Sequence, residues 1–178
     1  ILGEKVSLKS DTPVEVSMRY QFPSIKEGLV NLKKKGCSEI FVVPLYPHYA
    51  MSTVLTTEKE VIRIENELEL DLKLNFIKAF YNEQEYISSL SNVISNNRQT
   101  ESDFLLFSYH GIPNRHLLKT DPTQSHCLKV ENCCDMESKA KPFCYKAQVI
   151  ETSRLCAKQL ELKEDEWGIS FQSRIGPG

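Results

Sequence analysis

The sequence predicts an α/β fold built on parallel sheets, and three observations predict it. Short apolar runs alternate with longer amphipathic stretches along most of the 178 residues, which is the strand–helix order of a sheet with crossover helices. One run, EIFVVPLY (39–46), is apolar almost without a break, as expected of a strand covered on both faces of a parallel sheet. The composition, 40% hydrophobic and 26% charged, is that of a soluble globular protein.

The elements follow in order. VEVSMRY (14–20) reads as a strand. Pro23-Ser24 then opens a helix to about Lys35, with Ile25, Leu29 and Leu32 spaced to share one face. Gly36 suits the residue just past its end. EIFVVPLY is the second strand, and a long helical stretch runs from about Ser52 to Glu69. LKLNFIKAF (72–80) is a strand, EYISSLSNVISNN (85–97) a helix and DFLLFSYH (103–110) a strand. Residues 111–143 have no clear periodicity, YKAQVIETSRLCAKQL (145–160) is helical, and WGISFQSR (167–174) is the last strand. The composition turns polar at RQTES (98–102), which places a domain boundary there. Residues 1–100 and 101–178 are then parts of two domains, with a cysteine-rich insertion at about 119–144 in the second.

Several function classes are excluded. A net charge of −2 lacks the basic excess of a nucleic-acid binder. No apolar run approaches the roughly 20 residues of a membrane helix, and ILGEKVSLKS holds no signal-peptide pattern. A cytoplasmic location follows by default. The chain starts without Met and stops at SRIGPG just after a strand, so it reads as a fragment.

Four constellations carry chemistry. In SYHGIPNRH, His110 stands at a strand's end before Gly111 and Pro113. Ligands of parallel sheets sit beyond the carboxyl ends of strands, and a neutral imidazole there can ligate a metal or take a proton. The same placement suits a structural histidine bonded to backbone. His116 reads as solvated. In YPHYAMST, Tyr46 and Tyr49 offer flat apolar faces with polar tips. Ser52 and Thr53 can cap the next helix and offer its N-terminus to a carboxylate, or the tyrosines are core and Ser52 only a cap. Arg19-Tyr20 follows the first strand. Arginine suits carboxylate recognition, although a surface ion pair reads better from this pair alone.

The fourth constellation is Cys127, Cys133, Cys134 and Cys144, four of the six cysteines. Without a signal peptide a disulfide framework is not expected, so the cluster points to metal or redox chemistry. Four thiolates can hold Zn²⁺ or an iron–sulfur cluster, yet the spacings fit neither the zinc-finger pairs nor the ferredoxin patterns. Adjacent Cys133 and Cys134 suit a two-iron cluster better than one ion. His126 is a spare nitrogen ligand, and Cys37 and Cys156 read as buried small hydrophobes.

MRYQFPSI, VVPLYPHYAMST, FSYHGIPNRH and SFQSRIG, in this order and at these separations, resemble the ferrochelatase family over about Val14 to Gly176. SYHGIP is the most specific of them. The resemblance implies two Rossmann-like (chelatase-like) α/β domains with a porphyrin cleft between them, and insertion of Fe²⁺ into protoporphyrin IX to form haem. His110 takes the place of the family's iron ligand or proton acceptor. Arg19, Tyr46, Ser52 and Thr53 take porphyrin-contacting places, and Tyr20 and Tyr49 stand beside them. His48 replaces a commoner glutamine. The family's partner glutamate falls beyond Gly178, and its N-terminal strand is missing, so the fragment itself is expected to be inactive. The segment DPTQSHCL…CC…CY is similar to an insertion that carries a [2Fe–2S] cluster in some bacterial members, which assigns a cluster to Cys127, Cys133, Cys134 and Cys144. Fe²⁺ is then substrate, no organic cofactor is expected, and a peripheral membrane contact would suit porphyrin delivery. Within the same fold, coproporphyrin insertion and a cobalt chelatase are alternatives. A non-catalytic iron–sulfur module would keep the cysteines but leave His110 and the tyrosines without a purpose.

Overall fold

The computed structural model describes residues 2–98, 100 and 104–172. Along them run α1 (Leu2–Ser7), α2 (Ile25–Lys34), β1 (Glu39–Val42), α3 (Thr56–Leu68), β2 (Lys73–Phe76), α4 (Gln84–Asn97), β3 (Leu105–His110), α5 (Asn114–Thr120), α6 (Tyr145–Gln159) and β4 (Trp167–Gln172). A π turn, Met51–Leu55, leads into α3, and a 3₁₀ turn, Lys141–Phe143, precedes α6. The strands pair in parallel, β1 with β2 and β3 with β4, as the strand–helix alternation predicts. By its contacts the chain divides into two units, residues 1–45 with 52–78, and 46–51 with 79–178.

In the first unit α2 starts on a full capping box. Ser24 accepts from the Glu27 amide at 3.2 Å, while the Glu27 carboxylate accepts from the Ser24 amide at 2.7 Å. Such a cap stabilises a helix by about 1 kcal/mol. α2 ends in a Schellman motif: Gly36 sits at φ +85°, Cys37 N–H donates to Leu32 O and Gly36 N–H to Lys33 O. The core joins Ile25 and Leu29 of α2, Ile40 of β1, Val61 and Ile64 of α3, and Leu72. β1 departs from the expectation of burial on both faces. Ile40 is buried, but Phe41 and Val43 are exposed among the described residues. The predicted strand at 14–20 also does not form. Only Met18 finds a backbone partner, in a single bridge to Ser24 with Met18 N–H donating to Pro23 O at 2.7 Å. A strand needs a ladder to satisfy its amides, and no second described segment supplies one.

In the second unit β3 and β4 lie in register from Leu105↔Trp167 to His110↔Gln172. Phe107, Ile87 of α4 and Cys156 of α6 form their core, with Trp167 and Ile169 packed against it. α4 packs on α6, so it belongs to this unit by contact. The boundary at 98–102 falls mostly outside the described residues, as do position 103 and the strand end at 173–174. A smaller core of Leu117, Cys127, Ala140, Cys144 and Ala147 holds the segment before α6. Here the sequence showed no periodicity, and α5 went unseen for that reason. At seven residues it gives two turns, too few for a pattern to repeat.

Candidate functional site

β3 alternates with the period of a pleated strand. Phe107 and Tyr109 turn toward α4 and α6, while Leu106, Ser108 and His110 are on the exposed face. His110 is thus an exposed imidazole on the last residue of a parallel strand, and its side chain makes no hydrogen bond among the described residues. The ladder runs one step further, Gly111 N–H donating to Gln172 O at 2.7 Å. Pro113 then leads into α5, which carries His116.

Beside β3 lies the segment 46–51. His48 is buried, its ring edge-on to Tyr109 (5.6 Å between centroids) and to Tyr145 (5.9 Å). Its Nε2 is 2.9 Å from Thr152 Oγ1. The Thr152 hydroxyl donates to Tyr81 O at 2.7 Å, so toward His48 it accepts, and Nε2 carries the proton. Desolvation lowers the His48 pKa to about 4. A second relay runs one residue on. Ser153 donates to Val149 O and therefore accepts from the Tyr109 hydroxyl at 2.8 Å, and burial pushes that phenol up to about 12. The Tyr49 amide donates to Gln148 Oε1 at 2.7 Å, and the Tyr49 ring meets Phe143 edge-on. Tyr46, by contrast, is exposed.

The cysteine segment is organised by Asp121. Its Oδ1 accepts from the Thr123 amide (2.8 Å) and hydroxyl (2.7 Å), and its Oδ2 from the amides of His126 and Cys127 (both 2.9 Å). Burial alone would raise this carboxyl's pKa, but the four donors outweigh it and hold the group far below the usual carboxylate range. His126 Nε2–H donates to Cys133 O at 2.8 Å, leaving Nδ1 as its lone-pair nitrogen. All four cysteines are free; Cys127 and Cys144 are buried, Cys133 and Cys134 half-buried. The thiols of Cys127 and Cys134 both face the Cys144 sulfur. That contact with Cys134, aided by the Lys146 and Ala147 amides at the start of α6, lowers the Cys144 pKa against its burial. The Cys134 thiol is pushed up, first by its contact with Cys144 and then by burial. Among the described residues no three His, Cys, Asp or Glu side chains converge on one metal position.

The other candidates belong to the first unit. Arg19 is 3.9 Å from Glu60, and its guanidinium stacks 4.6 Å from the centre of the Tyr20 ring. Arg19 Nε is buried without a hydrogen-bond partner. With Tyr20, Phe22 and Glu60 it lines a pocket of about 260 Å³, and both aromatic rings are exposed. Ser52 and Thr53 do not cap α3 as expected. They lie inside the π turn, their carbonyls accepting from Thr56 Oγ1 at 3.1 and 3.0 Å, and the residue before α3 is Leu55, with helical backbone and no side-chain cap. The structure therefore gathers Tyr46, Tyr49, His110 and the cysteines in one unit, and Arg19, Tyr20, Ser52 and Thr53 in the other.

Sequence reasoning missed Asp121, Gln148 and Thr152. Asp121-Pro122-Thr123 is a turn-initiating signal that could have found the first. Gln148 and Thr152 stand four residues apart on one face of a helix, where polar residues amid apolar neighbours mark buried hydrogen bonds.

Comparison with known proteins agrees with the motifs. The ferrochelatase family model matches residues 2–178. The chain is 43% identical over 165 residues to a ferrochelatase of Stutzerimonas stutzeri (strain A1501), covering 92% of the chain and 48% of that protein. It is 42% identical over 165 residues to a ferrochelatase of Pseudomonas fluorescens (strain Pf0-1), with the same coverage. It is 38% identical over 169 residues to one of Opitutus terrae (strain DSM 11246 / JCM 15787 / PB90-1), covering 95% of the chain and 49% of that protein. The chain spans about half the length of these curated relatives. On its motifs, its paired parallel strands and this match along nearly its whole length, the chain belongs to the ferrochelatase family.

Proposed function

We propose that this chain is part of an enzyme that inserts ferrous iron into protoporphyrin IX, with His110 as the iron ligand or the acceptor of pyrrole protons. The observation that carries this reading is the exposed imidazole on the last residue of β3, where parallel sheets place their chemistry. A free porphyrin holds two N–H protons and is nearly flat. Metal enters only when the ring bends, so that nitrogen lone pairs turn outward, and when both protons leave. Binding energy on the macrocycle supplies the bend, and a neutral imidazole supplies the base. Arg19 supports the substrate assignment. Its unpartnered Nε–H beside the exposed faces of Tyr20 and Phe22 suits a flat apolar ring bearing carboxylates. Tyr46, Tyr49, Ser52 and Thr53 complete the proposed porphyrin contacts. Residues 1–100 and 101–178 are read as pieces of two chelatase-like domains.

The second part of the proposal is a [2Fe–2S] cluster on Cys127, Cys133, Cys134 and Cys144. The donor set supports it in kind: four free thiols in one segment, with Cys127 and Cys134 each against Cys144. Bound there, the cluster would supply one-electron chemistry, while Asp121 and the His126–Cys133 bond hold its loop in shape. No described helix is long and apolar enough to cross a membrane. Free cysteines suit the reducing cytoplasm, where a peripheral membrane contact would deliver porphyrin.

The test is metal insertion by the full-length protein, followed by loss of porphyrin fluorescence, with protoporphyrin and coproporphyrin in competition. Preferred use of protoporphyrin is expected, preferred use of coproporphyrin would replace the substrate, and insertion of neither would overturn the reading. The anaerobic visible spectrum, with iron and sulfide assayed, decides the cluster. About two of each per chain is expected, and a colourless zinc protein would reassign the cysteines.

A further inference from the structure

Among the described residues β3 has one ladder, the one with β4, and His110↔Gln172 is its last registered pair. Pairing opens first at the end of a strand, yet this end carries the imidazole. On the inward face of β3, Phe107 is held by apolar contact, its ring edge-on to Trp167. Such contact is non-directional and lets a strand slip. Tyr109, the last inward side chain, is held differently. Its hydroxyl donates to Ser153 Oγ at 2.8 Å, and the Ser153 hydroxyl donates to Val149 O at 2.9 Å. Burial pushes the phenol up to about 12, so it keeps its proton at neutral pH. A hydrogen bond fixes both a length and a direction. The far side of this one is firm as well. Ser153 is fully buried in α6, which packs on α4, and Cys156, three residues on, shares a core with Phe107 and Ile87. The Tyr109 ring is braced between His48, edge-on, and Phe171, tilted at 6.3 Å.

We propose that Ser153 is a positioning residue for His110: through the Tyr109 hydroxyl it pins the carboxyl end of β3 to α6 and sets where the imidazole stands against a bound porphyrin. The inference rests on the proposed role of His110. Side chains alternate along a strand, so a hold on Tyr109 from the core side fixes the backbone from which His110 points outward. Ser153 itself does not touch the substrate. Porphyrin capture is assigned to other residues, so loss of the pin falls on turnover and spares porphyrin affinity.

The experiment compares Ser153→Ala, Tyr109→Phe and the double variant in the full-length protein, reading insertion kinetics and amide exchange at Gly111. The Gly111 N–H closes the ladder onto Gln172 O at 2.7 Å, and the Leu105 N–H on Glu166 O, at the other end of β3, is the internal reference. Each single variant is expected to exchange about tenfold faster at Gly111, with Leu105 unchanged. Each is expected to lower kcat about tenfold and to keep the porphyrin KM within about twofold. The double variant is expected to be no worse than either single one, because both remove the same bond. Unchanged Gly111 exchange in both single variants overturns the pin, and a double variant that loses the sum of the two overturns the pairing. Faster exchange with wild-type kcat, or a loss that falls on KM, overturns the positioning role. If Ser153→Ala does not fold, Tyr109→Phe, which keeps the ring and its contacts, decides alone. His110→Ala in the same assay separates the two readings. Insertion at the wild-type rate there removes the role of His110 and the positioning role with it, while Gly111 exchange still judges the pin.

Discussion

His48 follows the apolar run that holds β1, His110 is the last residue of β3, and the two imidazoles have opposite surroundings. His48 is buried between Tyr109 and Tyr145, its Nε2 proton held by Thr152 and its pKa lowered to about 4. His110, next to that same Tyr109, is exposed and makes no side-chain hydrogen bond among the described residues. An imidazole with a fixed partner in a dry pocket holds structure, whereas one that is solvated at a strand's end is free to meet a substrate. The difference is made by a pleat. In β3 the residue before His110 points into the core and His110 points out.

This contrast can be broken in several places. The largest effect is expected at Asp121, where burial has made a polar group structural. Asp121→Ala leaves the Thr123, His126 and Cys127 amides without their acceptor, for a loss of about 3 kcal/mol or more. Chemical denaturation would read it, and unchanged stability would remove Asp121 as the organiser of this segment. His48 comes next. Its folded pKa, about 4, lies below the ordinary value of 6.5, so between these pH values the unfolded state binds the extra proton. Stability therefore rises with pH through that window and is lost on acidification, by up to about 3 kcal/mol from this group. Melting curves from pH 7 to 4.5 should show the loss, and His48→Gln should flatten it; an equally steep profile in the variant would place the titration elsewhere. Thr152→Val orphans the His48 Nε2 proton at nearly constant shape and should cost about 1–3 kcal/mol without changing turnover per folded molecule. The smallest effect lies in the other unit, where Ser24→Ala removes the capping box at about 1 kcal/mol and leaves the second unit's amide exchange unchanged.

What the sequence made legible follows the range of the forces involved. The α2 cap and its Gly36 stop are local chemistry, and both are where the residues say. The long helices α3, α4 and α6 repeat their apolar spacing often enough to be read. VEVSMRY has a strand's composition, but a strand depends on a partner elsewhere in the chain, and only Met18 finds one. Ser52 has a cap's identity, yet the helical run begins a residue earlier in a π turn. The position of His110 at the end of β3 was legible because a strand's end can be counted from its apolar run. Gln148 and Thr152 were not, because their partners lie 99 and 104 residues away.

The most direct test of this division of labour compares His110→Ala with His48→Gln in the full-length protein, measuring metal insertion and porphyrin binding on the same samples. The account predicts that His110→Ala binds porphyrin nearly as well as wild type and inserts metal at least about a hundredfold more slowly. It predicts that His48→Gln inserts at near the wild-type rate. Insertion at the wild-type rate without His110, or its loss in a folded, porphyrin-binding His48→Gln, would contradict it.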